Sequence, residues 1–460
     1  MNTQKPLPLK GLRVIDSTYM FAGPYAGAIL ADLGAEVIKI EGPARLDFTR
    51  GGAFSGLMAE NEAGKDPWNR TSTYNLLNRG KKSLVLDLSK PEGREVLVDL
   101  MKVSDIFIDN FTPRVMRGWG LDFPNLKKIN SRLILITNTG YGHTGPYSAY
   151  PAQATTQEAT HGLAAVTGYP GGEPSKAGQS YVDFIAAWAC MMGAMLALRY
   201  RDRFDRSTWV DVGMYQLGCF NIGEYLMNWT ANGEPSQRIG NRHRQFAPQG
   251  TYRCAGDDAW CTVSVRDDDD WAALTVAIGR PNLATAYPTV EARRTAHDEI
   301  DRAITEWTKA RGKIEAMETL QAAGIPAGAV LDGRDLHLDP QIRSRGLLED
   351  MPFPPERAMG SRRPVIGRPW KFSGMAPKVD QPGPVFGQHN TEIMRETLGY
   401  DAVRIAELEE QEIVTTRPRW KRTPSEMSLD ERVRVGRLAY WDRDYKARLG
   451  IDDMSDGDPQ

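Results

Sequence analysis

The sequence is poor in the residues that build staples and metal centres. Its 460 residues include four cysteines and six histidines. The cysteines, at 190, 219, 254 and 261, form no C-x-x-C pair, which disfavours both a disulfide scaffold and a zinc knuckle. The histidines, at 143, 161, 243, 297, 337 and 389, form no H-E-x-x-H, so a zinc hydrolase is disfavoured and no bound metal is expected. Neither sign of charge dominates. Lys plus Arg number 57 against 59 Asp plus Glu, a net of −2, which leaves no bulk electrostatic case for nucleic acid or an anionic membrane. Long apolar runs are missing. The longest, residues 184–198, is too short to span a bilayer comfortably and reads as a buried core helix. The opening MNTQKPLPLKGLRV lacks the apolar core of a signal peptide, so a soluble cytoplasmic protein is expected. G-x-S-x-G and G-x-x-x-x-G-K-[ST] are absent too, which removes the usual signals of a serine hydrolase and a P-loop enzyme.

What is present has the make-up of an ordinary globular chain: 41% hydrophobic and 25% charged residues, with length enough for two or three domains. The first part alternates strand-like and helix-like runs. LRVID reads as a strand, PYAGAILADLGA as a helix with Pro24 in its first turn, and EVIKIE as the next strand. SLVLDL, PEGREVLVDLMKV, DIFIDNF and RLILITNTGYG continue the pattern, and TWVDVGM follows the long apolar segment. Such alternation predicts an open α/β sheet of parallel strands with right-handed crossovers. Residues 233–248 read as a linker or mobile loop, and 249–330 as a smaller α+β unit. The passage 351–384 is Pro-rich with little periodicity. From about 411 the chain is highly charged yet carries Trp420, Tyr440 and Trp441, which suggests an arm for a partner subunit. The expected division is 1–225 and 335–460 in one large discontinuous domain, with 226–334 inserted as a small α+β domain.

Two places could carry chemistry. The first βα turn, STYMFAGPYAG, lies where an open α/β sheet binds ligands, but it lacks G-x-G-x-x-G, which counts against a nicotinamide oxidoreductase. Gly23 and Gly27 there either admit a ligand or serve a tight turn and helix packing. Asp183 stands between the Gly-rich segment 167–180 and the apolar helix. It reads either as the helix N-cap or as an ionised carboxylate able to attack an activated acyl group, with backbone N–H groups near for the oxyanion. The run Asp267 to Asp270 lacks the ligand spacing of a calcium loop and reads as a solvated cap of the next helix.

Several segments, in this order, carry a resemblance. They are LRVIDSTYMFAGPYAGAILADLGAEVIKIE, NRGKKSLVLDLSKPEGREVLVDLMKVSDIFIDNF, GYGHTGPY, GLAAVTGYPGGEPSKAG with the Asp183 helix, GNRHRQFAPQGTYRC, LQAAGIPAGAV and GQHN. The chain resembles the class III CoA-transferase family, which includes formyl-CoA and carnitine CoA-transferases and the related α-methylacyl-CoA racemases. The resemblance runs from the PLKGLRVID segment to about residue 399. It implies an acyl-CoA:carboxylate CoA-transferase that moves CoA from a donor thioester, for example succinyl-CoA, to an organic acid. No permanently bound cofactor is implied; the CoA thioester is substrate. Asp183 matches the family nucleophile, which forms an aspartyl anhydride and then an aspartyl-CoA thioester. An Asp suits exchange between anhydride and thioester because it is a fair leaving group, and with a reference pKa near ~3.9 it needs no base. CoA contacts carry over to Tyr19, Met20, Phe21 and Ala22, to Glu41, to Leu86, and to Asn110 and Phe111. Arg45 stands a little after the position where the family often places a base for the CoA phosphates. Lys81, Lys82 and Arg114 are further phosphate candidates. Residues 239–249 match a loop that covers the intermediate in some members. The resemblance further implies an interlocked homodimer, or a heteromer with a related chain. The racemase alternative needs a His-Asp pair where this sequence has Gln153 and Ala154, with His161 a poor substitute.

Overall fold

The computed structural model describes residues 7–51, 58, 63–178, 181–357, 359–419 and 427–451. The chain divides into two compact units. One holds 1–161, 178–222 and 341–460; the other holds 162–177 and 223–340.

In the first unit the strands β1 (Arg13–Asp16), β2 (Glu36–Glu41), β3 (Lys82–Val85), β4 (Ile106–Asp109), β5 (Ile134–Thr139) and β6 (Trp209–Gly213) form one sheet in the order β3-β2-β1-β4-β5-β6. Every pairing is parallel, for example Val14 with Val37 on one side and Val14 with Ile106 on the other. Parallel strands buried on both faces need apolar residues at successive positions, and these have them. Val14, Val37, Ile106, Ile108, Ile134 and Ile136 point to one face, where helices α1 (Ala22–Asp32) and, later in the chain, the long apolar helix cover them. Ile15, Ile38, Ile40, Phe107 and Leu135 point to the other, against Val96, Leu97, Leu100 and Met101 of helix α2 (Pro91–Lys102). The period of two in the strands thus sorts neighbours into two cores. Short helix α3 (Ala154–Thr160) follows β5.

The apolar helix, α4, spans Tyr181–Phe204. Sequence placed its start at Asp183; the helix begins two residues earlier, so Asp183 is a first-turn residue and not the N-cap. Burial is also one-sided. Ala187, Cys190, Ala194, Ala197 and Leu198 enter the core with α1, whereas Tyr181, Phe184, Met192, Leu196, Tyr200 and Phe204 are exposed. With Trp188 these form a ridge at steps of three and four residues, the spacing of one helix face. It is long and apolar enough to cross a membrane by length and composition, yet its inner face packs on α1, β5 and β6. Helix α5 (Met214–Asn221) follows β6.

The second unit contains helix α6 (Gly223–Asn232) and an antiparallel sheet of β7 (Gln249–Arg253), β8 (Trp260–Ser264) and β9 (Ala327–Ala329). Helices α7 (Asp268–Ala277), α8 (His297–Lys309) and α9 (Lys313–Ala322) pack on it around Cys261, Val263, Trp271, Leu274, Ile300, Ile304 and Leu320. The acidic run is a cap, as its sequence suggested: the Asp267 carboxylate accepts from Asp270 N at 2.9 Å, and Asp270 pairs with Arg266. The loop 233–248 is more than a linker. Arg238 donates to Ala165 O and Gly172 O, and Arg242 pairs with Asp298 and Asp301.

The returning segment of the first unit contains a hairpin that sequence did not reveal, β10 (Leu348–Pro352) with β11 (Arg362–Ile366). Prolines 352 and 364 interrupt its alternation and belong on such an edge pair. Helix α10 (Ala402–Glu410) adds Ile405 and Leu408 to the core over α2. The charged tail, read as an arm for a partner, lies over its described part against this chain's own hairpin. Arg362 Nη2 donates to Gly450 O at 2.7 Å, and Trp441 Nε1 to Asp430 at 2.8 Å. Trp420 lies outside the described residues.

Candidate active site

The strand order reverses between β1 and β4, both of which run the same way, so the loops leaving their carboxyl ends border a crevice. One side chain ties those loops together. Asn110 Oδ1 accepts from Tyr19 N at 3.0 Å, and Asn110 Nδ2 donates to Tyr19 O at 2.7 Å. The Tyr19 hydroxyl accepts from Gly42 N at 2.9 Å, which adds the loop after β2. The Tyr19 ring meets Phe111 edge-on with centroids 6.5 Å apart, and Phe111 meets Trp119. Burial raises the Tyr19 phenol above its ordinary pKa, so it stays neutral and donates or accepts as a hydroxyl. Met20 holds a left-handed backbone at φ +71°, which costs a non-glycine residue ~1–2 kcal/mol and is stored where the turn is tightest. Phe21 leads into α1, and Ala22 is buried against Val182, Ala186 and Met214. Tyr19, Met20, Phe21, Ala22, Asn110 and Phe111 are therefore brought together.

Asp183 belongs to the same end of the sheet. Its two chain neighbours both touch the start of α1: Val182 packs on Ala22, and the Phe184 ring lies 6.3 Å from Phe21 and 5.7 Å from Tyr25. The carboxylate is half-buried in the first turn of a 24-residue helix. First-turn N–H groups have no intrahelical acceptor, and the helix dipole favours negative charge there by ~0.3–1 kcal/mol.

The remaining candidates separate. Leu86 is fully buried in the core, its N–H bonded to Glu41 O. The Glu41 carboxylate is fully occupied: Arg50 holds both oxygens at 2.7 and 2.8 Å, with Ser83 and Tyr74 beside them. Arg45 and Arg114 are exposed and form no salt bridge among the described residues. Lys82 bridges Glu36 and Glu392. Lys81 is neither a phosphate ligand nor a surface charge. Its buried ammonium donates to Asp16 Oδ2 at 2.6 Å, Pro24 O at 2.6 Å and Asn78 Oδ1 at 2.8 Å, which uses all its donors. Burial alone would raise the Asp16 pKa, but Lys81 and Lys39 outweigh it and bring it to about 2. A second buried ammonium, Lys39, pairs with Asp47 and donates to Thr18 O. Both glycines of the turn serve this packing. A Cβ on Gly27 would stand 2.7 Å from Asp16 Oδ2, and one on Gly23 would meet the Thr18 side chain at 2.5 Å.

Sequence reasoning missed two features, the burial of Asp109 and a cavity in the second unit, and left the places of His161 and Gln153 open. Asp109, at the end of β4, is wholly buried. Its Oδ1 accepts from Phe111 N at 3.1 Å, and its Oδ2 has no partner among the described residues. Burial pushes its pKa up to about 7; the Phe111 N–H works against that rise and Asp211 adds to it. His161, weighed as a racemase base, fills the space above Gly218, where a Cβ would stand 2.1 Å from the ring, and neither ring nitrogen has a hydrogen-bond partner among the described residues. Gln153 is an exposed N-cap of α3 in a capping box with Thr156. In the second unit, a cavity of about 250 Å³ is lined by Tyr225, Asn228, Ile239, His243, Arg244 and Glu224. The pairing of Asp16 with a lysine sixty-five residues away, and the burial of Asp109, depend on tertiary packing that local pattern does not encode.

Comparison with known proteins places the chain. The sequence model of the family described as CoA-transferase family III matches residues 9–390. Among curated proteins, the succinyl-CoA–D-citramalate CoA-transferase of Chloroflexus aurantiacus is 31% identical over 425 residues, covering 90% of this chain and all of that one. The beta subunit of the succinyl-CoA–L-malate CoA-transferase of the same organism is 29% identical over 416 residues, 90% of this chain and 99% of that one. Among solved structures, a CAIB/BAIF family protein from Brucella suis superposes with a TM-score of 0.76 at 30% identity, over 86% of this chain and all of that one.

Proposed function

The chain belongs to CoA-transferase family III and is a class III CoA-transferase; from that premise we propose that Asp183 is the nucleophile that carries first an acyl group and then CoA. The supporting observation is the place of Asp183: in a helix first turn, with both chain neighbours packed on the loop that opens the β1/β4 crevice. An Asp183 oxygen attacks the thioester carbonyl carbon of the donor. The C–S bond breaks, CoA leaves as thiolate, and a mixed anhydride remains. The thiolate then attacks the aspartyl carbonyl, expels the donor acid as carboxylate and leaves an aspartyl-CoA thioester. The acceptor carboxylate reverses both steps and departs as the new thioester. Every bond broken is replaced, so the sequence needs no oxidant, reductant or external base. First-turn N–H groups suit the oxyanion of each tetrahedral intermediate.

CoA is taken to lie in the crevice against Tyr19, Met20, Phe21, Ala22, Asn110 and Phe111, with exposed Arg45 reaching its phosphates. Succinyl-CoA, which stands in the names of several relatives, is the first to test. The exposed ridge of α4 supports a second copy as partner, in an interlocked dimer, because so large an apolar stripe is costly in water. A heteromer with a related chain is the second reading, favoured by the relative that is itself a beta subunit. Incubation with succinyl-CoA and a panel of carboxylic acids tests the function: new acyl-CoA products should form, and Asp183→Ala should abolish them while retaining the fold. Undiminished transfer by that variant refutes the assignment.

A further inference from the structure

We infer that Lys81, and with it Lys39, is a positioning residue for CoA: the buried ammonium groups hold the turn 17–21 in its ligand-binding shape before any ligand arrives. This rests on the reading of the β1/β4 crevice as the CoA site and goes beyond it to the groups that shape that site. Lys81 spans the turn. Its ammonium donates to Asp16 Oδ2, on the last residue of β1, and to Pro24 O, in the first turn of α1, each at 2.6 Å. One cation thus ties the two ends of the turn together. The other oxygen of Asp16 reaches into the turn, where it accepts from Thr18 N at 3.0 Å and from the Thr18 hydroxyl. A Cβ on Gly27 would stand 2.7 Å from Asp16 Oδ2 and 3.1 Å from Lys81 Nζ, so the tie occupies space that only glycine leaves.

Lys39, on β2, supports the middle of the turn. It donates to Thr18 O, pairs with Asp47, and its Nζ lies 5.2 Å from the centre of the Tyr19 ring. Asp47 Oδ1 in turn accepts from Met20 N at 3.4 Å. Thr18, Tyr19 and Met20 are therefore each held from within the protein, and Asp16, Thr18, Lys39, Asp47 and Lys81 are all buried. The same charges are a poor way to stabilise a sheet. Desolvation offsets much of the attraction in a buried ion pair, and apolar side chains of equal size often serve stability as well or better. Charged groups supply something apolar ones do not, a partner for each buried N–H and C=O of an irregular turn. This turn needs it, because Met20 holds a left-handed backbone that persists only where its surroundings enforce it. A turn already set in shape spares CoA the ordering of it on binding.

The test separates placement from stability. Lys81→Met combined with Asp16→Asn cuts the tie without leaving a buried charge. Urea unfolding compares this double variant with Lys81→Met alone, and isothermal titration of the full-length protein with CoA gives Kd. The double variant should resist urea better than the single one, yet bind CoA roughly tenfold more weakly than wild type, the scale of one hydrogen bond to a charged group. KM for succinyl-CoA should rise with Kd, and kcat should change less. Lys39→Met combined with Asp47→Asn cuts the second support and should show the same split; where one pair fails to fold, the other decides. A wild-type Kd in the double variants, while Asn110→Ala raises it, overturns the inference and leaves the crevice as the CoA site: the lysines then serve the fold alone. A Kd that none of these changes moves removes the crevice reading, and this inference with it.

Discussion

Asp109 should make the stability of the sheet depend on pH in a direction opposite to that of most carboxylates. In the unfolded chain it ionises near its reference value of 3.8; folded, burial holds it protonated until about pH 7. Below the lower value both states carry the proton and the group contributes nothing unfavourable. Between the two, the unfolded chain gains from ionising while the folded one does not, so stability falls as pH rises. Above about 7 the loss is complete. At 1.36 kcal/mol per pH unit, the difference between the two values amounts to about 4 kcal/mol. Asp109→Asn keeps the shape and the acceptor for Phe111 N but does not titrate. Its amide brings a constant cost of ~1–3 kcal/mol if the added donors find no partner. The quantity to read is therefore the slope. Urea unfolding of wild type and variant at pH 5, 6, 7 and 8 should show the variant gaining on wild type by about 1.4 kcal/mol per pH unit up to 7, and then holding level. Parallel stability curves across that range would refute the reasoning, since they would mean that Asp109 titrates alike in both states.

Other consequences follow from the same geometry. Lys81→Met leaves Asp16 buried and without its main partner, and should cost ~3–5 kcal/mol in urea unfolding; replacing Asp16 by Asn in the same chain should recover part of that loss. Asn110→Ala removes both bonds to the Tyr19 backbone and should raise KM for the acyl-CoA donor severalfold in steady-state kinetics, with a smaller change in kcat; an unchanged KM would separate the clamp from CoA binding. Leu196, 64% exposed in the middle of the α4 ridge, should lie inside a subunit interface. Leu196→Arg should then turn a dimer into smaller or aggregated species by light scattering, whereas a wild-type monomer would remove the need for a partner there.

Much of the fold could be read locally because each signal was local. LRVID and EVIKIE bracket a helix with proline in its first turn, and all three formed within three residues of their expected bounds. The hairpin at 348–366 was hidden because prolines break its period, and because its partner strands define each other only across the turn. The site was legible in part. The loops carrying Tyr19, Asn110 and Phe111 meet at the crevice. Sequence could not show that the Asn110 amide binds them together, since ninety-one residues separate the partners. Lys81 looked like a phosphate candidate for the same reason: its carboxylate partner lies two strands away and is seen only once the sheet has closed. The α4 run was read as wholly buried because composition alone does not distinguish a core helix from one whose outer face is exposed.

The central claim is covalent. The enzyme should be incubated with succinyl-CoA, quenched in acid and digested, and the peptide that contains Asp183 weighed by mass spectrometry. The account requires that this peptide gain the mass of CoA less water while no other carboxylate does, and that the adduct disappear when an accepting acid is added. Continued turnover with an unmodified Asp183 peptide would contradict it.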